Sequence, residues 1–324
     1  MNSRAEPWFE PREVGAPALV AIGAMNFGKR TPKKESERII GRALERGCTY
    51  FDTANAYYDG ESEKLIGAAL AKKRTLVKIA TKVGLLRVGG KAEGLARATV
   101  LDACDQSLAR LGTDYVDVYY LHAPDPATRI EETLGAIESL LKAGKIRQFG
   151  VSNYASWQIL EIMNLCDEAS MPRPVLSQQM YNLLIRQLEI EYFKFAKRYP
   201  VHTTVYNVLA GGLLAREHHQ ETITAGSRFD KNPMYQRRYW SEHFFTYVEA
   251  LRALATEEKL TLAALAYAWV AAHPEVDSLL VGPASVEQLD FALDAVARPL
   301  PPEASKRIED LHRAFTGTDA TYAR

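Results

Sequence analysis

Residues 116–151 hold Val-Asp-Val-Tyr-Tyr-Leu (116–121), an amphipathic stretch at Ile130–Ala143 closed by Gly144, and a second apolar run at Ile146–Val151. The short β-branched and aromatic runs read as strands, and the stretch between them has helical spacing. This strand–helix–strand unit repeats in both directions. Upstream, strands are expected at Ala18–Ile22, Thr49–Phe51 and Leu76–Ala80, with helices at Lys34–Arg46, Glu63–Lys72 and Leu95–Leu111. Downstream, strands are expected at Pro174–Gln178, His202–Tyr206 and Ser278–Val281. Helices are expected there at Trp157–Cys166, Leu188–Arg198, Glu242–Glu258, Leu262–Ala272, Val286–Ala297 and Ala304–Ala314. Glycines 47, 112 and 144 stand where helices should stop. Only residues 207–241 break the rhythm, with Gly, His, Arg and aromatics in no sustained period; a loop this long is usually functional or disordered. Eight strands alternating with helices predict an α/β fold, a (β/α)8 barrel with a long loop after the seventh strand and a C-terminal helix and tail, forming one domain over residues 1–324. A doubly wound sheet is the alternative, but no strand–helix turn carries Gly-x-Gly-x-x-Gly.

Composition narrows the function. The 324 residues are 47% hydrophobic, and Lys+Arg and Asp+Glu balance at 40 each. A neutral chain offers no electrostatic reason to bind nucleic acid or an anionic membrane. Three cysteines without a CxxC pair fit a reducing compartment. No apolar run reaches 18 residues, and Met1–Pro17 lacks a signal-like apolar core, so the expectation is a soluble cytoplasmic protein.

In a (β/α)8 barrel the chemistry sits at the C-terminal ends of the strands. Those ends carry Asp52 and Tyr57, then Thr81 and Lys82, His122, Ser152 and Asn153, Gln178, Tyr206 and Asn207, and Gly282 and Ser285. Each alone has an ordinary explanation as a turn or surface residue. Together they place a carboxylate, a phenol, an amine and an imidazole on three consecutive strands. An ammonium beside a phenol lowers the phenol's pKa, a carboxylate holds the ammonium, and the tyrosine then becomes a usable general acid. The imidazole can polarise a carbonyl. A carbonyl reduced this way needs hydride from a nicotinamide. Ser152, Asn153 and Gln178 offer groups for its carboxamide, and Tyr206 a face for its ring.

Phe-Asp-Thr-Ala-Asn-Ala-Tyr (51–57), Ala-Thr-Lys-Val (80–83), Tyr-Leu-His-Ala-Pro-Asp (120–125) and Gly-Val-Ser-Asn-Tyr (150–154) occur in order, and with them the chain resembles the aldo-keto reductases along nearly its whole length. The resemblance implies Tyr57 as proton donor with Asp52, Lys82 and His122 completing a tetrad. Against the cofactor it places Gly23, Met25, Asp52, Ser152, Asn153, Gln178, Tyr206, Asn207, Leu209, Gly211, Gly212, Leu213, Arg216, Arg228, Gly282, Ser285 and Gln288. Four later stretches are similar to the aflatoxin-aldehyde reductase branch: Ser-Asn-Tyr-Ala-Ser-Trp (152–157), Gln-Gln-Met-Tyr-Asn-Leu-Leu-Ile-Arg-Gln (178–187), Asn-Val-Leu-Ala-Gly-Gly-Leu-Leu (207–214) and Met-Tyr-Gln-Arg-Arg-Tyr-Trp (234–240). That likeness implies reduction of dialdehydes and succinic semialdehyde with NADPH, a homodimer, and substrate contacts from His122, Tyr235 and Arg238. A guanidinium suits a carboxylated substrate.

The chain departs from that branch where the adenosine end of the cofactor should lie. Ala215-Arg216-Glu217 replaces Thr-Gly-Lys, the strand-8 loop reads Gly282-Pro283-Ala284-Ser285 without an Arg, and Ala292 stands for an Asn. Arg228, with Arg216 as substitute, is left to meet a 2′-phosphate. NADPH is the expected cofactor, with NADH the alternative. The tail Thr316–Arg324 is expected to close over the pocket or to be disordered. Tyr58 reads as pocket wall or packing, Gly60 as a turn residue, and Glu63 as a helix-start acid near a positive dipole end.

Other signals carry less. Gly23–Arg30 nearly matches a phosphate-binding loop but has Arg30 where Ser or Thr belongs, and His218-His219 lacks metal-site spacing. A small carbonyl compound is the expected partner, and no metal is expected. The rival functions are a cofactor-holding regulatory subunit of the potassium-channel β type and a Schiff-base aldolase using Lys82.

Overall fold

The computed structural model describes residues 12–318 except 14, together with residue 322. Its eight parallel strands are β1 (Leu19–Gly23), β2 (Tyr50–Asp52), β3 (Lys78–Val83), β4 (Val116–Leu121), β5 (Ile146–Ser152), β6 (Leu176–Met180), β7 (His202–Tyr206) and β8 (Ser278–Val281). Each pairs with its neighbours in sequence, and β1 closes the barrel between β8 and β2. Helices α1 (Lys33–Glu45), α2 (Glu61–Leu70), α3 (Arg97–Leu111), α4 (Ile130–Lys142), α5 (Ser156–Glu168) and α6 (Tyr192–Arg198) follow the first six strands. Then come α7 (Pro233–Tyr239), α8 (Glu242–Glu257) and α9 (Leu262–Ala272) before β8, and α10 (Val286–Val296) and α11 (Pro302–Thr316) after it. This is the (β/α)8 barrel.

Two separate apolar clusters follow from the period-2 geometry of a strand. The larger lies between strands and helices, with Ile22, Phe51, Ile79, Tyr119 and Phe149 packed against Ile39, Ile66 and Ile137. The smaller fills the barrel: Ala21, Tyr50, Ala80, Val118, Tyr120 and Leu176. Two residues further along those same strands stand Gly23, Asp52, Lys82, Tyr120, His122 and Gln178. The register levels them: Asp52 pairs with Gly23 and Ala80, Lys82 with Tyr120, and Gln178 with Ser152 and Thr204. The same periodicity that fills the barrel therefore aims the polar residues into its mouth.

Strands β4, β7 and β8 have the expected bounds, and β3 does not. The reading Leu76–Ala80 corrects to Lys78–Val83, because Leu76 ends a 3-10 turn at Ala71–Leu76 and is 69% exposed. Thr81 and Lys82 are thus inside the strand rather than after it. Strands β2 and β6 also run later than expected, ending at Asp52 and Met180. The helix expected at Leu188–Arg198 divides into a 3-10 turn at Gln187–Glu189 and α6. The long loop contains α7, whose two turns are too short for a visible period. Its start is signalled by Asn232, whose side chain accepts from Tyr235 N, followed by Pro233. An antiparallel ribbon, Arg87–Val88 against Lys91–Ala92, rises from the β3–α3 connection. The expected closure by residues 316–324 rests largely on positions 319–321 and 323–324, which lie outside the described residues. Among the described residues no helix is long and apolar enough to cross a membrane.

Candidate active site

The centre of the mouth is a buried ion pair. Lys82 Nζ donates to Asp52 Oδ1 and, at 2.8 Å, to the carbonyl of Thr53. Lys82 is 0% and Asp52 1% exposed. Gln178 Nε2 donates to the other carboxylate oxygen, Asp52 Oδ2, at 2.9 Å, so both oxygens are engaged. Burial lowers the Lys82 pKa, against the charge and hydrogen bond of Asp52.

Tyr57 stands over this pair, with Lys82 Nζ 5.3 Å from its ring centre and the His122 ring edge-on at 5.9 Å between centroids. The sequence-based expectation that Lys82 acidifies this phenol is corrected here. Burial first, and the Asp52 charge second, push Tyr57 well above the usual phenol value; the cation that opposes them is Arg228. The reason is local: the Lys82 charge is matched at contact distance by Asp52. Burial and the Lys82 charge hold His122 down to about 3, a neutral imidazole whose Nδ1 is buried without a partner.

The neighbouring strand ends supply an amide-lined wall. Asn153, in a left-handed conformation at φ 64°, donates through Nδ2 to the His122 carbonyl at 2.9 Å and to Ser152 Oγ at 3.1 Å. Its Oδ1 accepts from Tyr206 OH at 2.6 Å, which fixes the Tyr206 ring half-exposed beside the mouth. Asn207 is a loop brace rather than an open donor: Nδ2 meets Tyr239 OH at 2.6 Å, and Oδ1 accepts from Gly211 N at 2.7 Å. Gly211 has φ 70°, and a Cβ there would stand 2.6 Å from the Tyr235 ring. Leu213 is in the core, so only its backbone is available; Leu209 and Gly212 are half-buried and Arg216 is exposed.

Across the mouth, Arg228 Nη2 donates to Asn26 Oδ1 at 3.0 Å and Nη1 to Tyr235 OH at 3.4 Å. Asn26 Nδ2 in turn donates to the Gly282 carbonyl at 3.0 Å. Arg228 thus ties the β1 and β8 loops, including Gly23, Met25 and Gly282, to α7. The guanidiniums of Arg228 and Arg238 lie 5.6 and 5.7 Å from the Tyr235 ring centre.

At the far end, Ser285 caps α10 by accepting from Gln288 N at 3.3 Å, and Gln288 Oε1 accepts from Ala284 N at 2.9 Å. A helix N-terminus of this kind is a ready anion site. Here, however, Glu35 Oε1 already accepts from Val286 N at 3.0 Å.

Several of these groups escaped the sequence reading. Glu63 does lie in the first turn of α2, as expected, but it is also fully buried, accepting from Thr81 Oγ1 at 2.5 Å and Arg110 Nε at 2.6 Å. Tyr58 packs beneath Lys29, whose Nζ is 5.1 Å from its ring centre. Asn26, Glu35 and Tyr120 were legible only as residues of strand ends and helix starts. Among the described residues no group of three or more His, Cys, Asp or Glu can hold a metal ion.

Comparisons with known proteins bear on this arrangement. The Aldo/keto reductase family model matches residues 19–313. The human aflatoxin B1 aldehyde reductase member 2 is 35% identical over 300 residues, covering 87% of this chain and 82% of that protein. The human aldo-keto reductase family 7 member A3 is 34% identical over 305 residues, covering 88% and 91%. A probable voltage-gated potassium channel subunit beta of Arabidopsis thaliana is 30% identical over 286 residues, covering 86% and 87%. A barrel closed around a buried Lys82–Asp52 pair and a match over nearly all of that barrel make this chain a member of the aldo/keto reductase family.

Proposed function

We propose that the protein reduces an aldehyde or ketone to the alcohol, with Tyr57 giving the proton. One observation carries this reading: the buried Lys82–Asp52 pair lies directly beneath the Tyr57 phenol and the His122 imidazole at one barrel mouth. A bound NAD(P)H would supply the hydride. Ser152, Asn153 and Gln178 would hold its carboxamide and Tyr206 its ring. The first turn of α10, with Arg216, would meet the phosphates.

The protein's own groups act on the substrate oxygen. A neutral His122 donates to it and draws electron density from the carbonyl carbon. Tyr57 keeps its proton through the neutral pH range, so it is loaded as an acid and releases the proton only as negative charge develops on that oxygen. The phenolate left behind faces the Arg228 guanidinium, the cation that bears on Tyr57. The guanidiniums beside Tyr235 favour a substrate with a second, anionic end. The similarity to human aflatoxin B1 aldehyde reductase member 2 supports aldehydes as the substrate class.

Loss of NADPH absorbance with short aldehydes, neutral and carboxylated, tests the reading. Tyr57→Phe should lower kcat by about 10²–10⁴-fold while the protein still binds the cofactor; full activity in that variant would sink the assignment. The channel-subunit relative motivates a second reading, a cofactor-holding regulatory protein. Tight NADPH retention with negligible turnover across the aldehyde panel would favour it.

A further inference from the structure

Tyr57 is presented by a tight turn. Its backbone N–H donates to the Ala54 carbonyl at 3.1 Å, so Asn55 and Ala56 are the two central residues of that turn. The turn is tied to β3 by backbone bonds that continue the β2–β3 pairing: Thr53 N donates to the Ala80 carbonyl at 2.9 Å and Asn55 N to the Lys82 carbonyl at 3.2 Å. A side-chain bond adds to these. Asn55 Nδ2 donates to Glu93 Oε1 at 2.8 Å, from the connection between β3 and α3. Asn55 is 1% exposed, and its Oδ1 is buried without a partner.

The carboxylate that receives Asn55 is itself fixed. The same oxygen, Glu93 Oε1, accepts from Gly84 N at 2.7 Å and Leu86 N at 3.3 Å, and Glu93 N donates to the Leu86 carbonyl at 2.8 Å. Two residues on, Leu95 N donates to Asp125 Oδ2 at 2.8 Å, in the loop that follows His122. The 84–95 connection is therefore bound to its own start and to the next loop, and Glu93 offers Asn55 an acceptor already in place. Chemistry sets the direction of that contact. A carboxylate only accepts, so the amide must turn its N–H side to Glu93 and leave Oδ1 to the interior. An unpaired buried carbonyl is unfavourable, so this orientation depends on the bond to Glu93.

We propose that Glu93 is a positioning residue, which clamps the Asn55 turn against β3 and its connection and so sets the Tyr57 phenol over the Lys82–Asp52 pair. The clamp deepens the proposed carbonyl reduction and rests on it for its kinetic consequence alone; the placement of the Tyr57 ring can be read without turnover.

The test is ¹⁹F NMR on protein labelled with 3-fluorotyrosine, with steady-state kinetics on unlabelled protein beside it. The chain has 16 tyrosines, and the Tyr57 resonance is the one that Tyr57→Phe deletes. Glu93→Ala should shift that resonance. Glu93→Gln, which keeps Oε1 as an acceptor, should leave it in place. A loss of global stability alone would not move a native-state signal in this pattern. Glu93→Ala should also lower kcat about tenfold, the effect of losing one hydrogen bond, with aldehyde KM within about twofold and Glu93→Gln recovering most of the loss. In a Tyr57→Phe background, Glu93→Ala should cost kcat nothing further, because the group it sets is gone. The assignment is overturned if Glu93→Ala leaves the Tyr57 resonance unmoved, if Glu93→Gln shifts it as far, or if Glu93→Ala costs the same factor without Tyr57. Should Glu93→Ala not fold, Asn55→Ala removes the donor while leaving Glu93 bonded to Gly84 and Leu86; an unshifted Tyr57 resonance there overturns the clamp as well. Absence of turnover in the unsubstituted protein, with the fluorine shifts as expected, would support the clamp and count against the proposed function.

Discussion

Arg110 on α3 reaches Glu63 on α2 directly behind the strand that carries Lys82: Nε donates to Oε2 at 2.6 Å, and Glu63 has no exposed side-chain surface. Thr81, one residue before Lys82, donates to the other Glu63 oxygen. The pair joins two helices to β3 at the level of the active site. It also explains Gly60, where φ is 84° and a Cβ would stand 2.3 Å from Arg110 Cδ.

Arg110→Ala should therefore destabilise the fold by about 3 kcal/mol, the lower end for a broken buried pair, because Arg110 itself touches solvent. Urea unfolding of the variant checks this. Gly60→Ala should reproduce part of the loss by displacing the guanidinium. A loss in Gly60→Ala that adds fully to that of Arg110→Ala would show the two to be unrelated.

The Lys82–Asp52 pair makes a second prediction about coupling. Either Asp52→Asn or Lys82→Met leaves one charge buried without its counterion, at a cost of about 3–5 kcal/mol. The double variant removes both charges, so it should be clearly more stable than the sum of the single losses predicts, while remaining inactive. Strict additivity in thermal or urea unfolding would mean that the pair is not the coupled unit its geometry describes.

On the proposed placement of the cofactor's adenosine end at the start of α10, its preference turns on Glu35. Its carboxylate occupies Val286 N at the start of α10, and the flanking Glu287 adds a second acid. A 2′-phosphate entering there meets negative charge, whereas a ribose hydroxyl finds an acceptor. Glu35→Gln should therefore raise the ratio of kcat/KM for NADPH over NADH by about tenfold, one charge contact's worth. An unchanged ratio would move the adenosine end elsewhere.

Acid sensitivity is set by buried histidines. His122 and His202 are both held down to about 3 by burial, aided by Lys82 and Lys78 respectively, against 6.5 for the free side chain. The unfolded chain takes up these protons below about pH 6.5 and the folded chain does not. Stability is thus complete above that value and falls as the pH drops toward 3. At pH 5.5 the loss is about 1.4 kcal/mol for His122, and less for the partly exposed His202. Melting temperatures at pH 7 and 5.5 should show the drop, and His202→Gln should shrink it; an equal drop in that variant would place the cause in other groups.

Much of the architecture was legible because it rests on period. The 116–121, 202–206 and 278–281 strands are uninterrupted short runs between turn residues, and their bounds match. Strand β3 was misread because a lysine ending an apolar run looks like a boundary, whereas inside a barrel that lysine faces a carboxylate. The tetrad residues were visible as chemistry at strand ends. The contacts of Glu63 and Asn26 were not, because their partners, Arg110 and Arg228, lie 47 and 202 residues away along the chain, and no local pattern records such contacts. The placement of Arg228 across the mouth needed the folded α7, whose two turns leave no periodic trace.

The division of the molecule into two apolar clusters has a broader consequence. The small interior cluster has six fully buried members, and they give way to polar groups at one end. Most of the buried apolar residues belong to the strand–helix layer, which faces away from the chemistry. Sequence change can therefore proceed on two nearly independent clocks: the outer layer constrained by packing volume, and the lumen by proton placement and charge. A barrel built this way can acquire a new substrate through its lumen and loops while its outer layer keeps the same fold.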